Sequence, residues 1–439
     1  MQDSRYEERI KDLVVECLRE ERIEVGEAEE RVRRLLLGAG AKALGERWTQ
    51  QAAESEPQRL SCECGREMKR RPRSSKKVLT LLGNARIERS YYWCPQCRGG
   101  VFWLDEGLGC RGRTQTGKVQ ECVALVVAEQ PYGGGQRLLS RLAGLDFAQC
   151  TLESIAKDLG GELEREREQE IEKAMKGQLQ GEAKAVGTLC VSTDAVKVPT
   201  REGWQDAKVV ATFSYDVSPG GSQPQEADVR YSGRVEHCEA VGERMYAQAV
   251  KQGVHNAERV VVLGDGAEWI WNQAQKHFPN AVEIVDWFHA VQHLWEVANT
   301  VFGQGSDQAR EWQHNREAEL WEGHVAVVID RMRKLFWSLR RRDKQFPGSL
   351  AEHVLQTNMA YFSGHAKRMD YARLRREQLP IGSGIIESAC KHYVAQRSKR
   401  SGMQWNTQGL HPILELRSAL LSNEWHRVTN LFTPRIIAA

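Results

Sequence analysis

Two aspartates stand where strand-like segments of the sequence end, in positions from which a carboxylate can hold a metal ion. Asp194 ends the segment 189–193, and Asp265 follows the apolar run 260–263. Open α/β sheets bind ligands beyond the carboxyl ends of their strands. Magnesium prefers a few carboxylates together with phosphate and water. Together the aspartates indicate a metal site at a sheet edge, whereas either acid taken alone is better explained by a turn or a cap.

A third acid, Glu387, lies in the segment 380–387, which leads from a loop into a helix. Ser383 can cap that helix, which places Glu387 in its first turn. Three carboxylates from different elements can bracket two ions about 3.5–4 Å apart, which stabilise both the attacking and the leaving oxygen of an in-line displacement. An acid in a first helical turn also complements the helix dipole, so the purely structural interpretation stays open.

Basic residues follow Glu387 on the same predicted helix. Lys391 lies four positions later, so an i,i+4 ion pair of about 0.2–0.5 kcal/mol explains it, and a phosphate contact near a cutting site is the functional interpretation. The predicted DNA contacts that extend this basic face are Arg397, Lys399 and Arg400.

Four cysteines form two close pairs, which are Cys62 with Cys64 and Cys94 with Cys97. Structural zinc takes four soft ligands in a tetrahedron, commonly supplied as two such pairs. The Cys-x-Cys spacing of the first pair is tighter than the usual Cys-x-x-Cys. The pattern predicts a structural zinc site, with buried reduced cysteines as the alternative.

A basic segment, residues 66–77, lies between the two cysteine pairs. It holds seven basic residues and one acid, and the block 331–344 has the same balance, although the formal net charge of the chain is only +3. Local basic blocks in a near-neutral chain fit a protein that meets a polyanion with selected faces, and a solvated surface is the alternative. The predicted DNA contacts of the first block are Arg70, Arg71, Arg73, Lys76 and Lys77.

The elements that position these residues change character along the chain. The predicted segments are a helical region (1–57), a cysteine-rich, zinc-ribbon-like β unit (58–110), a helix-turn-helix with a charged linker helix (111–180) and an α/β domain (181–439). In the last segment, the strand-like stretches are 188–198, 208–217, 228–235, 259–263 and 282–285. Strands followed by β–α alternation predict a mixed sheet covered by helices, and residues from about 290 to 378 are helical in pattern.

Local patterns place several boundaries in the first half of the chain. Ile10 and Leu13 belong to one apolar helix face, and the polar stretch 50–57 breaks the helical pattern. A hairpin is predicted over 78–89, with a Gly/Asn turn at 83–84.

Three helices are predicted at 119–128, at 136–142 and from Thr151, with a break at Gly144. Short helices joined by glycine-containing turns suggest a helix-turn-helix. Its later helix would enter the major groove of DNA, and a packed helical linker is the alternative.

The sequence motifs around the acids identify a protein family more specifically than the spacing of the acids does. They read DAVKVPTREGW from Asp194, LGDGAEWIWN from Leu263, DWFHA from Asp286 and PIGSGIIESACK from Pro380. These four motifs, in this order, resemble insertion-sequence transposases of the Kra-four family, whose core is similar to that of Mutator-like elements. The resemblance extends from about residue 58 to residue 430, and the stretch YYWCPQC at 91–97 resembles the family's ribbon.

The resemblance implies a ribonuclease-H-like mixed sheet, interrupted by an all-helical insertion that the stretch 290–378 matches. Carried over by motif, it makes Asp194, Asp265 and Glu387 a catalytic triad that holds two Mg²⁺ or Mn²⁺ ions. Supporting roles fall to Asp286 and His289, which form an Asp-x-x-His motif; a satisfied core histidine after a buried strand is the alternative. A tryptophan is expected in the insertion, and Trp321 is the candidate.

The implied partner is double-stranded DNA, namely the terminal inverted repeats of an element and its target, bound by a homodimer or higher oligomer. Neither a signal segment nor an apolar run long enough for a membrane is found, and eleven cysteines without a signal indicate reduced thiols. We therefore expect a cytoplasmic transposase. The alternatives are an inactive DNA-binding regulator derived from a transposase, a nuclease that never joins strands, and a hydrolase of small substrates.

Overall fold

The computed structural model describes residues 2–19, 23–182, 186–217, 224–382 and 384–432. The chain divides into two compact units, named here the first unit (Met1–Ala156 with His426–Ala439) and the second unit (Lys157–Trp425). Each unit contains one sheet with helices, so the mixed α/β class is confirmed. The predicted cysteine-rich ribbon lies in the first unit, and the three predicted catalytic acids lie in the second.

Two helices open the first unit, α1 (Gln2–Cys17) and α2 (Val25–Ser55). The predicted apolar face of α1 is not buried, because Ile10 is 47% and Leu13 61% exposed. The break predicted at 50–57 is wrong for most of its length, since α2 continues to Ser55. The helix persists there because Ala52 packs into a core with Val78 and Ile87.

A four-stranded antiparallel sheet follows, with its strands in sequence order: β1 (Leu60–Ser61), β2 (Glu67–Thr80), β3 (Gly83–Trp93) and β4 (Gly100–Phe102). The predicted hairpin is confirmed, but its turn lies at residues 81–82 and not at 83–84. Thr80 pairs with Gly83, and the Thr80 hydroxyl donates to the Gly83 carbonyl and accepts from the Leu82 N–H. The basic segment 66–77 therefore lies mainly in β2.

The predicted helices after the sheet are confirmed. After α3 (Trp103–Gly107) come α4 (Gly117–Glu129), α5 (Tyr132–Leu138), a π-helical turn (Leu139–Ala143) and the long α6 (Gln149–Met175). Gly144 ends the π-helical turn in the left-handed conformation, at φ 66°, which glycine adopts without steric cost. The break predicted at Gly144 is thus confirmed.

The second unit is built on a five-stranded mixed sheet in the order β7-β6-β5-β8-β9. Its strands are β5 (Val186–Thr200), β6 (Gly203–Val217), β7 (Pro224–Val235), β8 (Ala257–Gly264) and β9 (Val282–Val285). The pairs β5–β6 and β6–β7 are antiparallel, and β5–β8 and β8–β9 are parallel. All five predicted strand segments fall within these strands.

One strand boundary differs from its prediction and bears on the site. Asp194 does not end β5, because the strand continues to Thr200 as one arm of a hairpin with β6. Asp194 pairs with Val209 in that hairpin. The pairing of β5 with β8, in contrast, ends at Ser192, so Asp194 lies just beyond the parallel part of the sheet.

The helices of the second unit are α7 (Cys238–Lys251), α8 (Glu268–His277), α9 (Trp287–Phe302), α10 (Asp307–Trp321), α11 (Val325–Arg342), α12 (Leu350–His365), α13 (Tyr371–Arg376), α14 (Gly384–Ser388), a π-helical turn (Ala389–Ala395), α15 (Gln396–Ser398) and α16 (Thr407–Leu421). The last helix of the chain, α17 (His426–Asn430), belongs to the first unit. The helical stretch predicted at 290–378 is confirmed by α9 to α13. In the part of the chain that is described, every helix is too short or too polar to cross a bilayer.

Candidate metal centres and basic surfaces

Two of the three predicted acids come together at the edge of the second sheet. Ser192 and Leu263 form the last pair between β5 and β8, and Asp194 and Asp265 each lie two residues beyond it. Burial raises the pKa of the Asp194 carboxyl, and the charge of Asp265 raises that pKa further. Two carboxylates that repel one another fit a site for a hard divalent cation, because a cation favours the ionised form of both.

The loop that carries Asp265 is held by local hydrogen bonds and by helix α12. The Asp265 Oδ1 atom accepts from the Ala267 N–H at 2.8 Å, and the Tyr361 hydroxyl donates to the Asp265 carbonyl at 2.8 Å. Gly266 has φ 107°, and a Cβ added there would lie 2.5 Å from the Tyr361 ring. The residue after Asp265 must therefore be glycine for Tyr361 to reach this loop.

Asp286 and His289 lie beside this pair of acids. Asp286 caps α9, since its Oδ1 atom accepts from the Phe288 N–H at 2.7 Å and from the His289 N–H at 3.4 Å. The His289 Nδ1 atom lies 3.7 Å from that same oxygen, an ion-pair distance that is too long for a hydrogen bond. Asp286, and then Asp194 and Asp265, raise the pKa of His289. Asp286 therefore has a structural role as a helix cap, while the charges of Asp194 and Asp265 act on the His289 imidazole.

A residue that sequence reasoning missed touches the site directly. The Cys390 thiol donates to the Asp194 Oδ2 atom at 3.6 Å. Burial, and then the negative charge of Asp194, raise the pKa of Cys390, so it stays protonated and acts as a donor. The signal that could have found Cys390 is its place three residues after Glu387, inside the motif that begins at Pro380.

Glu387 is in the first turn of α14, as predicted, but its side chain points to solvent. Its Oε1 atom lies 2.5 Å from the Lys391 Nζ atom, and the Glu387 side chain is 59% exposed. The i,i+4 ion pair predicted for Lys391 is thus confirmed. The segment of α14 and the following π-helical turn packs against β5, the strand that contains Asp194. Ser383, the predicted cap, lies outside the described residues.

The four cysteines converge as a metal site requires. Their sulfur atoms all lie within 4.8 Å of one another, with separations of 3.2 Å for Cys62–Cys97, 3.6 Å for Cys64–Cys94 and 3.8 Å for Cys64–Cys97. A tetrahedral zinc ion with Zn–S bonds of about 2.3 Å would place its sulfur ligands about 3.8 Å apart. Among the described residues, the four cysteines are the one group of three or more potential metal ligands whose ligand atoms lie this close together. The three acids, Asp194, Asp265 and Glu387, do not form such a group.

Each of the two loops that carry the cysteines is closed by a backbone hydrogen bond. In the first loop, the Cys62 N–H donates to the Arg66 carbonyl at 2.8 Å, and in the second the Cys94 N–H donates to the Gly99 carbonyl at 2.8 Å. The Cys97 N–H, followed by that of Gln96, lowers the pKa of the Cys94 thiol to about 6. The pKa of Cys62, in contrast, is raised to about 12, because its side-chain hydrogen bonds with Cys97 and Cys64 outweigh the bond from the Cys64 N–H. A thiolate is the form that binds zinc, so it is the convergence of the four sulfur atoms that fits a structural zinc ion.

The basic segment of β2 is partly neutralised inside the first unit. Arg70 and Arg73 lie 2.7 Å and 3.2 Å from a carboxylate oxygen of the buried Glu56. Lys76 lies 2.9 Å from the buried Asp105. These three predicted DNA contacts therefore have structural partners. In the same segment, Arg71 lies over the Trp93 ring at 5.1 Å, and Lys77 is exposed.

The three residues of the second predicted basic face, Arg397, Lys399 and Arg400, differ in their burial and contacts. Arg397 is 1% exposed and lies 5.1 Å from the Trp405 ring centroid, so its burial does not fit the interpretation as a surface contact with DNA. Lys399 is exposed and lies 5.6 Å from the Trp204 ring. Arg400 donates to the Gln396 carbonyl at 2.9 Å.

Trp321, the tryptophan expected in the helical insertion, is part of an aromatic group. Its ring lies 5.1 Å from that of Trp287, which begins α9 beside the acidic site. The Arg375 guanidinium lies 3.8 Å from the Trp321 ring centroid, and 37% of Trp321 stays exposed. Trp321, at the end of α10 in the insertion, thus packs against the first residue of α9 and stays partly exposed.

Comparison with known families gives one match. The model of an uncharacterised protein family, UPF0236, matches residues 18–430. Since the match covers most of the chain, the protein belongs to this family. No curated protein matches the sequence.

Proposed function

We propose that the protein is a DDE-type transposase, which cuts DNA at the ends of an insertion sequence and joins those ends to target DNA. The observation that carries the proposal is that Asp194 and Asp265 each lie two residues beyond the last pair of β5 with β8, where the charge of Asp265 raises the pKa of Asp194 in addition to burial. The mixed sheet, the helical insertion 290–378 and the motif resemblance support a ribonuclease-H-like core for this site. A transposase would explain why acids, basic surfaces and a cysteine ribbon occur in one chain.

In this proposal, Asp194 and Asp265 would hold Mg²⁺ or Mn²⁺, and Glu387 would complete the site once released from its ion pair with Lys391. The ions would supply charge stabilisation at the reacting phosphate. Water attacks the phosphorus atom, and the bond to the 3′ oxygen breaks, which leaves a 3′ hydroxyl and a 5′ phosphate. That hydroxyl then attacks a target phosphorus atom and displaces its 3′ oxygen, so one phosphodiester is exchanged for another.

The residues around the acids have defined positions in this scheme. Cys390 orients the Asp194 carboxylate, and the Tyr361 hydroxyl holds the Asp265 backbone. Released from Glu387, the Lys391 ammonium can bind a phosphate of the cut strand. His289 adds positive charge beside the two acids when it is protonated.

One observation favours a second candidate, a DNA-binding regulator derived from a transposase. The Glu387 carboxylate pairs with Lys391 and does not converge with the other two acids. In a regulator, this ion pair would be permanent and the acids would have no catalytic task. The cysteine ribbon and the helix-turn-helix would then carry the whole function.

Labelled DNA that carries the element's own ends separates the two candidates. Wild type, Asp265→Asn and the matched control Asp307→Asn, whose side chain is 98% exposed at the start of α10, are assayed with Mg²⁺. We expect nicking and joining by wild type and the control, and loss of both reactions in Asp265→Asn. Binding without cleavage by wild type would instead support the regulator.

A further inference from the structure

Helix α11 has an exposed basic face that lies outside the proposed acidic site. Its inner face buries four apolar side chains, those of Val325, Val328, Met332 and Phe336. On the outer face, Arg333, Trp337 and Arg341 follow one another at intervals of four residues, which places them in one stripe. Trp337 is 50% exposed. The helix is thus amphipathic, with an aromatic residue between two arginines on its outer surface.

Several cations of this face form no ion pair with the described residues, although Lys334 and then the charge of Arg333 contribute to lowering the pKa of Asp330. Within the block 331–344, Arg331 pairs with Glu319 at 3.6 Å, Lys334 with Asp330 at 2.7 Å and Arg340 with Glu352 at 3.2 Å. The remaining four basic residues are exposed and form no ion pair within the described part of the chain; they are Arg333, Arg341, Arg342 and Lys344. Positive charge therefore accumulates around Trp337 and at the C-terminal end of α11.

Complementing the helix dipole accounts for only part of this arrangement. Cations in a last helical turn are stabilised by about 0.3–1 kcal/mol, which suits Arg340, Arg341 and Arg342. It does not account for Arg333, which lies two turns earlier, or for the exposed indole of Trp337. Guanidinium groups bind phosphate oxygens in pairs, and an exposed aromatic ring beside cations is typical of surfaces on which unpaired bases stack.

We propose that the outer face of α11 binds DNA that contains unpaired bases. Arg333, Arg341, Arg342 and Lys344 contact backbone phosphates, and Trp337 stacks on an unpaired base. The choice of DNA over an acidic protein rests on the proposed function, because cleavage and joining expose unpaired strands. It also rests on Trp337, since an indole can stack on the ring of an unpaired base, whereas the carboxylate side chains of an acidic peptide offer it no such ring.

The test uses the full chain without Mg²⁺, so that DNA is bound and not cut. Fluorescence anisotropy measures its affinity for a duplex and for the same duplex with a short unpaired segment, at several salt concentrations. Each lost phosphate contact lowers the slope of log affinity against log salt by about 0.7–0.9. We expect Arg333→Gln with Arg341→Gln to lower the slope by about 1.4–1.8, and Lys173→Gln with Lys276→Gln, exposed lysines elsewhere in the second unit, to leave it unchanged.

Trp337→Ala supplies the second readout. We expect it to remove roughly tenfold of the affinity for the unpaired segment, the range seen when a stacking aromatic is lost, and to leave duplex binding nearly unchanged. Equal salt slopes for the arginine and lysine variants would overturn the inference, as would binding of polyglutamate at this face in place of DNA. Cleavage is assayed separately with Mg²⁺. If wild type cleaves DNA but the α11 variants bind DNA as wild type does, the inference about α11 is wrong and the proposed transposase function stands. If wild type does not cleave DNA but the α11 variants show the expected losses of binding, the transposase proposal is wrong and the inference about α11 stands.

Discussion

At the scale of single residues, the Asp194 carboxylate depends on a neighbour that donates to it. Its Oδ2 atom accepts from the Cys390 thiol, and this bond lowers a pKa that burial raises. Replacing Cys390 by alanine removes the donor, so the charged form of Asp194 becomes less favourable and its pKa rises further. We expect the low-pH limb of metal-dependent cleavage to move to higher pH in Cys390→Ala, as measured by the pH dependence of the nicking rate.

Two controls separate this electrostatic effect from a packing effect. Cys390→Ser keeps a donor at the same position and ought to restore most of the wild-type pH profile. Cys150→Ser changes an exposed cysteine of the first unit and ought to leave the profile unchanged. A uniform loss of rate at every pH in Cys390→Ala would show that the thiol only fills space.

At the scale of elements, helix α12 holds the loop that follows β8. The hydrogen bond from the Tyr361 hydroxyl to the Asp265 carbonyl is worth about 0.5–1.5 kcal/mol. Without that bond, Asp265 is less firmly held in the orientation that we propose for metal binding. We expect Tyr361→Phe to raise the Mg²⁺ concentration for half-maximal cleavage by about twofold to tenfold, with little change in the rate at saturating Mg²⁺.

A second tyrosine gives a matched control for this experiment. The Tyr371 hydroxyl donates to the Val285 carbonyl at 3.0 Å, so Tyr371→Phe removes a bond of the same chemistry from the end of β9. Its Mg²⁺ dependence ought to match that of wild type. The same shift in both variants would mean that the two tyrosine hydroxyls support the fold in general and that the Tyr361 bond has no particular effect on the Asp265 loop.

Elements were predictable where a residue's own neighbours decide its conformation. The run 260–263 predicts β8 because four consecutive apolar residues fit a strand covered on both faces. The end of β5 was not predictable in this way, since its extension past Asp194 depends on pairing with β6. The ion pairs of the basic segment 66–77 were not predictable for the same reason. Glu56 contacts Arg70, and Asp105 contacts Lys76, only once the chain has folded.

The candidate site shows the same limit. The motifs identified Asp194, Asp265, Asp286 and His289, whose charges act on one another in the fold. The i,i+4 spacing predicted the ion pair between Glu387 and Lys391, but nothing in the sequence indicated the contacts that bring Cys390 to Asp194. Those contacts depend on how α14 and the π-helical turn lie on β5, which the spacing of the residues does not specify.

At the scale of the whole molecule, the two candidate metal centres lie in different units. The four cysteines belong to the first unit and the three acids to the second. A metal stabilises the structure to which it binds, so each unit is expected to respond to its own ion. We expect one bound zinc per chain by metal analysis, and faster amide hydrogen exchange over β1 to β4 after chelation, with β5 to β9 unchanged.

Added Mg²⁺ is expected to act on the other unit. It should slow exchange in the segments around Asp194 and Asp265 in wild type, since binding relieves the repulsion between the two carboxylates, and it should fail to do so in Asp265→Asn. Cys94→Ser with Cys97→Ser ought to reproduce chelation in the first unit while leaving this magnesium response intact. A zinc-free protein whose first sheet exchanges as slowly as before would contradict the zinc site. If Mg²⁺ slowed exchange equally in both proteins, the effect would come from elsewhere on the surface, and the paired aspartates would be left without a metal to hold.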